Sequence, residues 1–88
     1  MAVKQYKKSE IVQAIQFTSI DQANIQDIID FVGLPISIDF TKDGVKLRVI
    51  RGAYDVLVAS ISDYIVMHND GRLEKVPQAE FDYEEVTE

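Results

Sequence analysis

The chain has 88 residues, of which 47% are hydrophobic and 27% are charged, a composition typical of one small globular domain over residues 1–88 with frayed ends at 1–8 and 84–88. Nine basic against fifteen acidic residues give a formal charge of −6, which disfavours direct binding to the phosphates of a nucleic acid. Cysteine is absent, which excludes disulfides and thiolate metal sites, and no apolar run is long enough to cross a membrane, so we expect a cytoplasmic protein.

A strand over residues 10–17 and a helix over residues 20–32 are the first elements that the pattern predicts. Apolar residues occur at both parities of the strand, which indicates either a strand covered on both faces or one that is only loosely patterned. Ser19 and Gln22 fit a capping box at the start of the helix, and Gly33 is suited to end it. The apolar positions are Ile11, Val12, Ala14, Ile15 and Phe17 in the strand and Ile25, Ile28, Ile29 and Val32 in the helix.

Residues 34–59 have the pattern of two successive hairpins. Asp43-Gly44 is a strong two-residue turn signal, and folding about it pairs residues of like kind. We expect this register because a slip of one residue would turn the apolar set towards solvent. The expected pairs are Thr41 with Lys46, Phe40 with Leu47, Asp39 with Arg48 as an ion pair, and Ile38 with Val49.

A second tight turn at Gly52-Ala53 extends the first hairpin into a three-stranded meander. Folding about this turn keeps the next strand's valines on the apolar face that the first hairpin defines. The expected pairs are Val49 with Val56 and Leu47 with Val58.

Residues 64–68 are expected to form a fourth strand of the meander, which a turn at Asn69-Asp70-Gly71 joins to a strand over 73–76. Two registers remain open. A two-residue loop places Met67 opposite Glu74, whereas a three-residue loop with Gly71 in the left-handed conformation places Met67 opposite Leu73. The second is preferred for its apolar match.

Pro77 interrupts the pattern, so Phe81 and Tyr83 are expected in a short final strand or in a tail that docks on a sheet edge. The predicted fold is therefore α+β. It has a single antiparallel, meander-rich sheet of five to seven short strands, with one helix over about residues 20–32 packed on one face.

The sequence offers little support for catalysis, and we expect neither an enzyme nor a cofactor. His68 is the only histidine, and no spacing forces it towards Ser60 or Ser62 as a base. Asp63, His68 and Asp70 lie close in sequence, but one histidine supplies little for a metal site. The isolated glycines fit turns and a helix end better than a phosphate loop.

Binding residues can be proposed in two groups. Basic residues on the first hairpin could hold an anionic small ligand with the help of a tyrosine, although Asp39 and Asp55 are placed to neutralise them as on an ordinary polar sheet face. Acidic residues crowd the C-terminal end, either as a solvated end attracted to the N-terminal lysines or as a surface for a basic partner. The candidates are Arg48, Arg51, Tyr54, Tyr64, His68, Glu80, Asp82, Glu84 and Glu85.

Several short motifs together resemble a family of small proteins encoded by bacteriophages and prophages, chiefly of Gram-positive hosts. The motifs are Gln13-Ala14-Ile15-Gln16-Phe17-Thr18, Ile28-Ile29-Asp30-Phe31-Val32-Gly33, Asp63-Tyr64-Ile65-Val66, and Asp70-Gly71 followed by Pro77 and Phe81. The chain departs from the family pattern at Ser62, where such proteins commonly have glycine, and in the spacing of its ending. That family has no established activity, so the resemblance implies a phage setting and no catalytic residue.

The expected function is that of a non-catalytic phage or prophage accessory protein in the host cell cytoplasm. It would bind a host protein, for example a component of host defence such as a CRISPR nuclease, with its acidic side chains imitating phosphate charge. One alternative is an oligomer that binds or sequesters a nucleotide-type ligand. Another is a virion or assembly component whose strand edges build a homo-oligomer.

Overall fold

A computed structural model describes residues 3–7, 11–81 and 84–85, with the backbone alone described at 4–7, 11 and 84–85. Within these residues the fold is α+β, as predicted, and no helix there has the length and apolar character needed to span a membrane. The elements are β1 (Lys4–Lys7), β2 (Ile11–Gln16), α1 (Gln22–Val32), β3 (Ile36–Thr41), β4 (Gly44–Gly52), β5 (Asp55–Ser60), β6 (Tyr64–Met67), β7 (Leu73–Val76), a 3-10 helix (Gln78–Glu80) and β8 (Glu84–Glu85).

The strands of the described residues form two antiparallel sheets, so the prediction of a single sheet is wrong. One sheet has the order β7-β6-β2-β1-β8 and the other has the order β3-β4-β5. The meander ends after β5 because β6 pairs with β2 and not with β5. The turn between them is held against β2 by backbone hydrogen bonds from Ser62 N–H to Phe17 C=O (2.7 Å) and from Phe17 N–H to Asp63 C=O (2.9 Å).

Strand β2 is covered on both faces, the first of the two alternatives that its mixed parity left open. Ile15, with Phe17 just after the strand, lies in the main core beneath α1 and the three-stranded sheet. Val12 and Ala14 point to the other side and pack with Val66 in a second, smaller cluster. The strand therefore separates the two cores of the molecule.

Helix α1 begins at Gln22, two residues later than predicted, and the predicted capping box does not form. Asp21 is the N-cap residue and makes no side-chain capping bond. Ser19 Oγ instead accepts a hydrogen bond from Asp21 N–H (3.2 Å). At the other end the prediction is confirmed: Gly33 has φ 64° and donates its N–H to Ile29 C=O at 3.0 Å.

The register predicted for β3 and β4 is wrong by two residues. Gly44 lies in the strand opposite Thr41, so the loop consists of Lys42 and Asp43. Thr41 Oγ1 stabilises this turn by donating to Gly44 C=O at 2.7 Å. A shift of two residues keeps the same face inward, so Leu47 and Val49 are buried as expected, but Phe40, which was expected on the same apolar face, is 74% exposed. The ion pair of Asp39 with Arg48 also forms, at 3.0 Å, but diagonally.

The register predicted for β4 and β5 is wrong by one residue. The turn residues are Ala53 and Tyr54, and the pairing shifts between Ile50 and Gly52 in a β-bulge. A one-residue change reverses the faces of β5. Leu57 and Ala59 are therefore buried, whereas Val58 is exposed and Val56 is half-buried; the predicted core set for this strand was the opposite one.

Strands β6 and β7 follow the preferred register, with Met67 opposite Leu73. His68 N–H donates to Arg72 C=O at 2.9 Å, which leaves a three-residue loop whose Gly71 has φ 86°. This confirms the left-handed glycine predicted for the loop.

The predicted final strand is only partly correct. Phe81 follows the 3-10 helix and stacks on Tyr64, with ring centroids 3.8 Å apart, while Tyr83 lies outside the described residues. The backbone of β8 does dock on a sheet edge, where Glu84 lies opposite Lys7 and Glu85 opposite Tyr6 of β1.

Candidate binding cleft

A cleft of about 500 Å³ lies between β5 and β7. These two strands are the last members of their respective sheets, and no strand pairing joins them. We call this feature the edge cleft. It is lined by Arg51, Leu57, Val58, His68, Arg72, Leu73, Glu74 and Lys75.

The lining residues show that the edge cleft follows the strand edges. On β7 and the residue before it, the cleft is lined by the consecutive residues 72–75, and on β5 by 57 and 58. Successive side chains of a strand point to opposite faces of its sheet. A groove on one face would therefore be lined by alternate residues, whereas a groove along an edge contacts consecutive ones.

Arg51 enters the edge cleft because of the β-bulge in β4. It lies between Ile50 and Gly52, where the register with β5 shifts, and a bulge re-aims the side chain of the extra residue. Its guanidinium donates to Leu73 C=O at 2.9 Å and to Asp55 Oδ1 at 2.8 Å. Arg51 thus links the two sheets and places one positive charge at the cleft.

The edge cleft is basic although the chain as a whole is acidic. Arg51, Arg72 and Lys75 carry positive charge, and Glu74 is the acidic residue in the lining. Arg72 and Lys75 are exposed, and their side chains make no hydrogen bond or ion pair with another residue that the structure describes. The Lys75 charge is therefore available to a negatively charged ligand or partner, whereas the Arg72 charge also acts on the nearby Asp70 carboxylate.

His68 exposes only 9% of its surface and lies at the end of the edge cleft. Its Nε2 is 3.1 Å from Glu74 Oε1. Of the two serines considered for it as a base, Ser60 accepts a hydrogen bond from Lys46 Nζ at 2.6 Å. Ser62 contributes its backbone carbonyl, which accepts a bond from Gln16 Nε2 at 3.0 Å.

Asp63 and Asp70, which lie near His68 in the sequence, accept hydrogen bonds from backbone N–H groups. Asp63 accepts a hydrogen bond from Ser60 N–H at 2.8 Å, and Asp70 accepts one from Arg72 N–H at 3.0 Å. This second bond lowers the pKa of Asp70, with a smaller contribution from the nearby Arg72 charge. Among the described residues no three histidine, aspartate or glutamate side chains converge as metal ligands.

Of the candidate binding residues from the sequence, the structure brings Arg51 and His68 together in the edge cleft. Arg48 pairs with Asp39 within the three-stranded sheet, and Tyr54 is fully exposed at a hairpin turn. The others lie elsewhere. Tyr64 stacks on Phe81, Glu80 is exposed on the 3-10 helix, Glu84 and Glu85 form the backbone of β8, and Asp82 is outside the described residues.

Sequence reasoning missed Arg72, Glu74 and Lys75. They follow the turn at Asn69-Asp70-Gly71 as ordinary exposed positions of a short strand. Their significance depends on β7 being an edge strand that faces β5, and the predicted single meander did not contain that arrangement. The available signal in the sequence was the pair of cations, Arg72 and Lys75, on either side of Leu73-Glu74.

Comparisons with known proteins give no match: no family model, no curated protein and no solved structure is similar to this chain at a significant level.

Proposed function

We propose that this chain is a non-catalytic binding protein and that the edge cleft is its binding surface. One observation carries the proposal, namely the exposed Arg72 and Lys75 beside Arg51 in a cleft of a protein with a formal charge of −6. Isolated cations on a polar surface are usually solvated, but cations that share a concave site raise the local concentration of negatively charged partners.

The partner we propose is a protein. Exposed apolar and aromatic side chains lie near the cleft. Val58 lines it, Ile50 is exposed on the same outer sheet face, and Tyr54 is fully exposed at the adjoining turn. Aromatic and apolar residues beside charged ones are typical of protein interfaces. The resemblance to phage and prophage proteins supports a bacterial host protein as this partner.

Phosphate imitation by the C-terminal acidic residues remains a separate prediction. Asp82 and Glu88 lie outside the described residues, and only the backbone of Glu84 and Glu85 is described. The cleft instead supports a partner that contributes negative charge.

The experiment compares two single charge reversals in a pull-down from a bacterial lysate. Lys75→Glu reverses a charge in the edge cleft, and Lys42→Glu makes the same change at the exposed β3–β4 turn. We expect Lys75→Glu to lose the partner and Lys42→Glu to retain it, with both the wild-type protein and the control losing the partner at high salt. Equal retention by the two variants would contradict a role for the cleft.

A second candidate is a small anionic ligand, favoured by the size of the cleft. Its volume of about 500 Å³ lies within the range of small-molecule sites. A thermal-shift screen with a nucleotide panel tests this candidate. A shift that Arg72→Ala abolishes and Arg48→Ala preserves would support it, because Arg48 lies outside the cleft. A screen without shifts would remove it.

A further inference from the structure

We infer that the partner enters the edge cleft as an extended acidic segment that adds a strand to the free edge of β5. This inference rests on the proposed function and specifies the form of the partner. Strand addition is a common mode of peptide recognition, in which backbone hydrogen bonds supply affinity and side-chain contacts supply specificity.

The backbone of β5 presents unpaired groups to the cleft. Ser60 N–H donates to Asp63 Oδ2 at 2.8 Å, and Ser60 C=O accepts from Asp63 N–H at 3.0 Å, so both groups of Ser60 point away from β4. Backbone groups alternate in direction along an antiparallel strand. The N–H and C=O of Val58 and Val56 therefore point the same way, and no described hydrogen bond occupies them.

The edge of β7 is less open. His68 N–H bonds to Arg72 C=O, so alternation directs the backbone groups of Leu73 and Lys75 away from β6. Of these, Leu73 C=O already accepts the hydrogen bond from Arg51. Edge β5 thus offers two residues with both groups available, which is why we assign the added strand to β5.

The separation of the two edges also favours pairing with one strand only. Cα atoms of β5 and β7 approach within 8 Å. A strand paired with both edges would need two strand spacings, or about 9.6 Å. The segment would therefore pair with β5 alone, and β7 would contribute side chains.

Charge selects an acidic segment. A strand added to β5 would lie beside Arg72 and Lys75, which make no ion pair with described residues. Residues 72 and 75 differ in parity, so their side chains point to opposite faces, and carboxylates on alternate residues of the segment would meet one of these two cations. On the outer face of the sheet the remaining side chains would lie against Val58, the exposed apolar residue of the lining.

The probe for this inference is a short synthetic peptide of alternating threonine and glutamate, blocked at both ends, with a threonine–lysine peptide as its charge control. Isothermal titration calorimetry measures affinity, and amide chemical shifts report on Val56 and Val58. We expect binding of the acidic peptide only. Two N-methylated versions of the acidic peptide are also compared, and each carries the methyl groups on one of the two sets of alternate amides. One set faces β5 and supplies the hydrogen-bond donors to it, so the version methylated at that set should bind about tenfold more weakly.

Two proline variants test the same edge from the protein side. Val58→Pro removes an N–H that points into the cleft and leaves the bonds to β4 intact, so the fold should survive. Phe40→Pro is the matched control, because Phe40 is an exposed residue on β3, the opposite edge of the same sheet. Binding should fall about tenfold in Val58→Pro and stay unchanged in Phe40→Pro. Should Val58→Pro unfold, the methylated peptides decide.

The inference fails if the acidic peptide does not bind, or if it binds with an affinity that neither N-methylation pattern changes. Binding that survives both methylation patterns but is lost in Lys75→Glu would mean that ionic contact alone holds the peptide. In that case strand addition is wrong while the edge cleft keeps its proposed function. Only retention of the lysate partner by Lys75→Glu would remove the proposed function itself.

Discussion

The guanidinium of Arg51 donates a 2.9 Å hydrogen bond to the backbone carbonyl of Leu73, and this bond joins the central strand of one sheet to the edge strand β7 of the other, although no strand pairing joins the two sheets. The same side chain also pairs with Asp55 at 2.8 Å. One residue of the bulge thus lines the edge cleft and bonds to both sheets.

We predict that Arg51→Ala lowers the free energy of unfolding by about 1 to 2 kcal/mol, the cost of losing a hydrogen bond from a charged donor. The Asp55 ion pair adds little because the Asp55 side chain is 62% exposed. Urea unfolding measures the change. Arg48→Ala is the control, since its exposed ion pair with Asp39 lies within one sheet, and it should cost less than about 0.5 kcal/mol. Equal losses of unfolding free energy in Arg51→Ala and Arg48→Ala would show that the bond from Arg51 to Leu73 contributes no more to stability than an exposed ion pair.

The faces of β5 give a second prediction. Leu57→Ala removes a buried side chain from the main core and should lower the free energy of unfolding by about 2 to 4 kcal/mol. Val58→Ala changes an exposed side chain and should cost less than about 1 kcal/mol. Chemical denaturation measures both. If Val58→Ala lowered the free energy of unfolding more than Leu57→Ala does, the result would support the register expected from a turn at Gly52-Ala53.

The hairpins show how far sequence reasoning reaches. Apolar alternation correctly identified the strands and the inward face of β4, because burial depends on parity alone. The turn position depends on side-chain bonding that alternation does not contain, such as the hydroxyl of Thr41 donating to Gly44 C=O. The bulge at Arg51 is equally invisible to a period-two pattern, and it was enough to reverse the predicted faces of β5.

The candidate site was harder to predict than the fold. The sequence placed Arg51 on a polar sheet face and His68 beside a turn, with no reason to bring them together. Their proximity follows from the pairing of β6 with β2, a contact between strands far apart in the chain. Local sequence patterns carry no information on such a contact. They therefore could not predict that Arg72 and Lys75 line a cleft beside β5.

A third prediction concerns the start of α1. Asn24 Oδ1 accepts hydrogen bonds from Thr18 N–H (2.9 Å) and Ser19 N–H (3.2 Å), and Asn24 Nδ2 donates to Gln16 C=O (3.1 Å). Asn24→Ala leaves these backbone groups without this partner and should cost about 1 to 3 kcal/mol. Asn24→Asp keeps the acceptor and should lose less. Thermal unfolding ranks the variants, and equal effects would mean that the two accepted bonds contribute nothing.

The pH dependence of stability gives a fourth prediction. The pKa of Asp70 lies below its ordinary value of 3.8, chiefly because Arg72 N–H donates a hydrogen bond to its carboxylate. A group whose folded pKa is lowered contributes stability above its unfolded pKa and loses that contribution as the pH falls through the folded pKa. The Asp70 contribution should therefore be complete above pH 3.8 and decline below it.

Asp70→Asn removes this titration and should flatten the part of the stability profile below pH 3.8 that belongs to this group. Urea unfolding as a function of pH measures the profile, and NMR titration of the Asp70 carboxyl carbon gives its pKa directly. Asp43→Asn, at another exposed turn, is the control for removing a surface carboxylate. A measured Asp70 pKa at or above 3.8 would contradict the role of the Arg72 N–H.

The fifth prediction concerns Ser62, in the turn between β5 and β6. Its φ is 86°, and it is the one non-glycine residue with positive φ in the described part of the chain. Such a conformation costs a residue with a Cβ about 1 to 2 kcal/mol. It persists because Ser62 N–H bonds to Phe17 C=O and because Ser62 C=O accepts from Gln16.

Ser62→Gly should relieve this strain and raise the free energy of unfolding by about 0.5 to 1 kcal/mol, after the greater freedom of glycine in the unfolded chain is subtracted. Ser62→Ala keeps the Cβ and should give no gain. Ser37→Gly, in the extended strand β3, should lower stability by about 0.5 to 1 kcal/mol. Urea unfolding of the three variants separates the causes. A loss of stability in Ser62→Gly would mean that the turn between β5 and β6 is not strained.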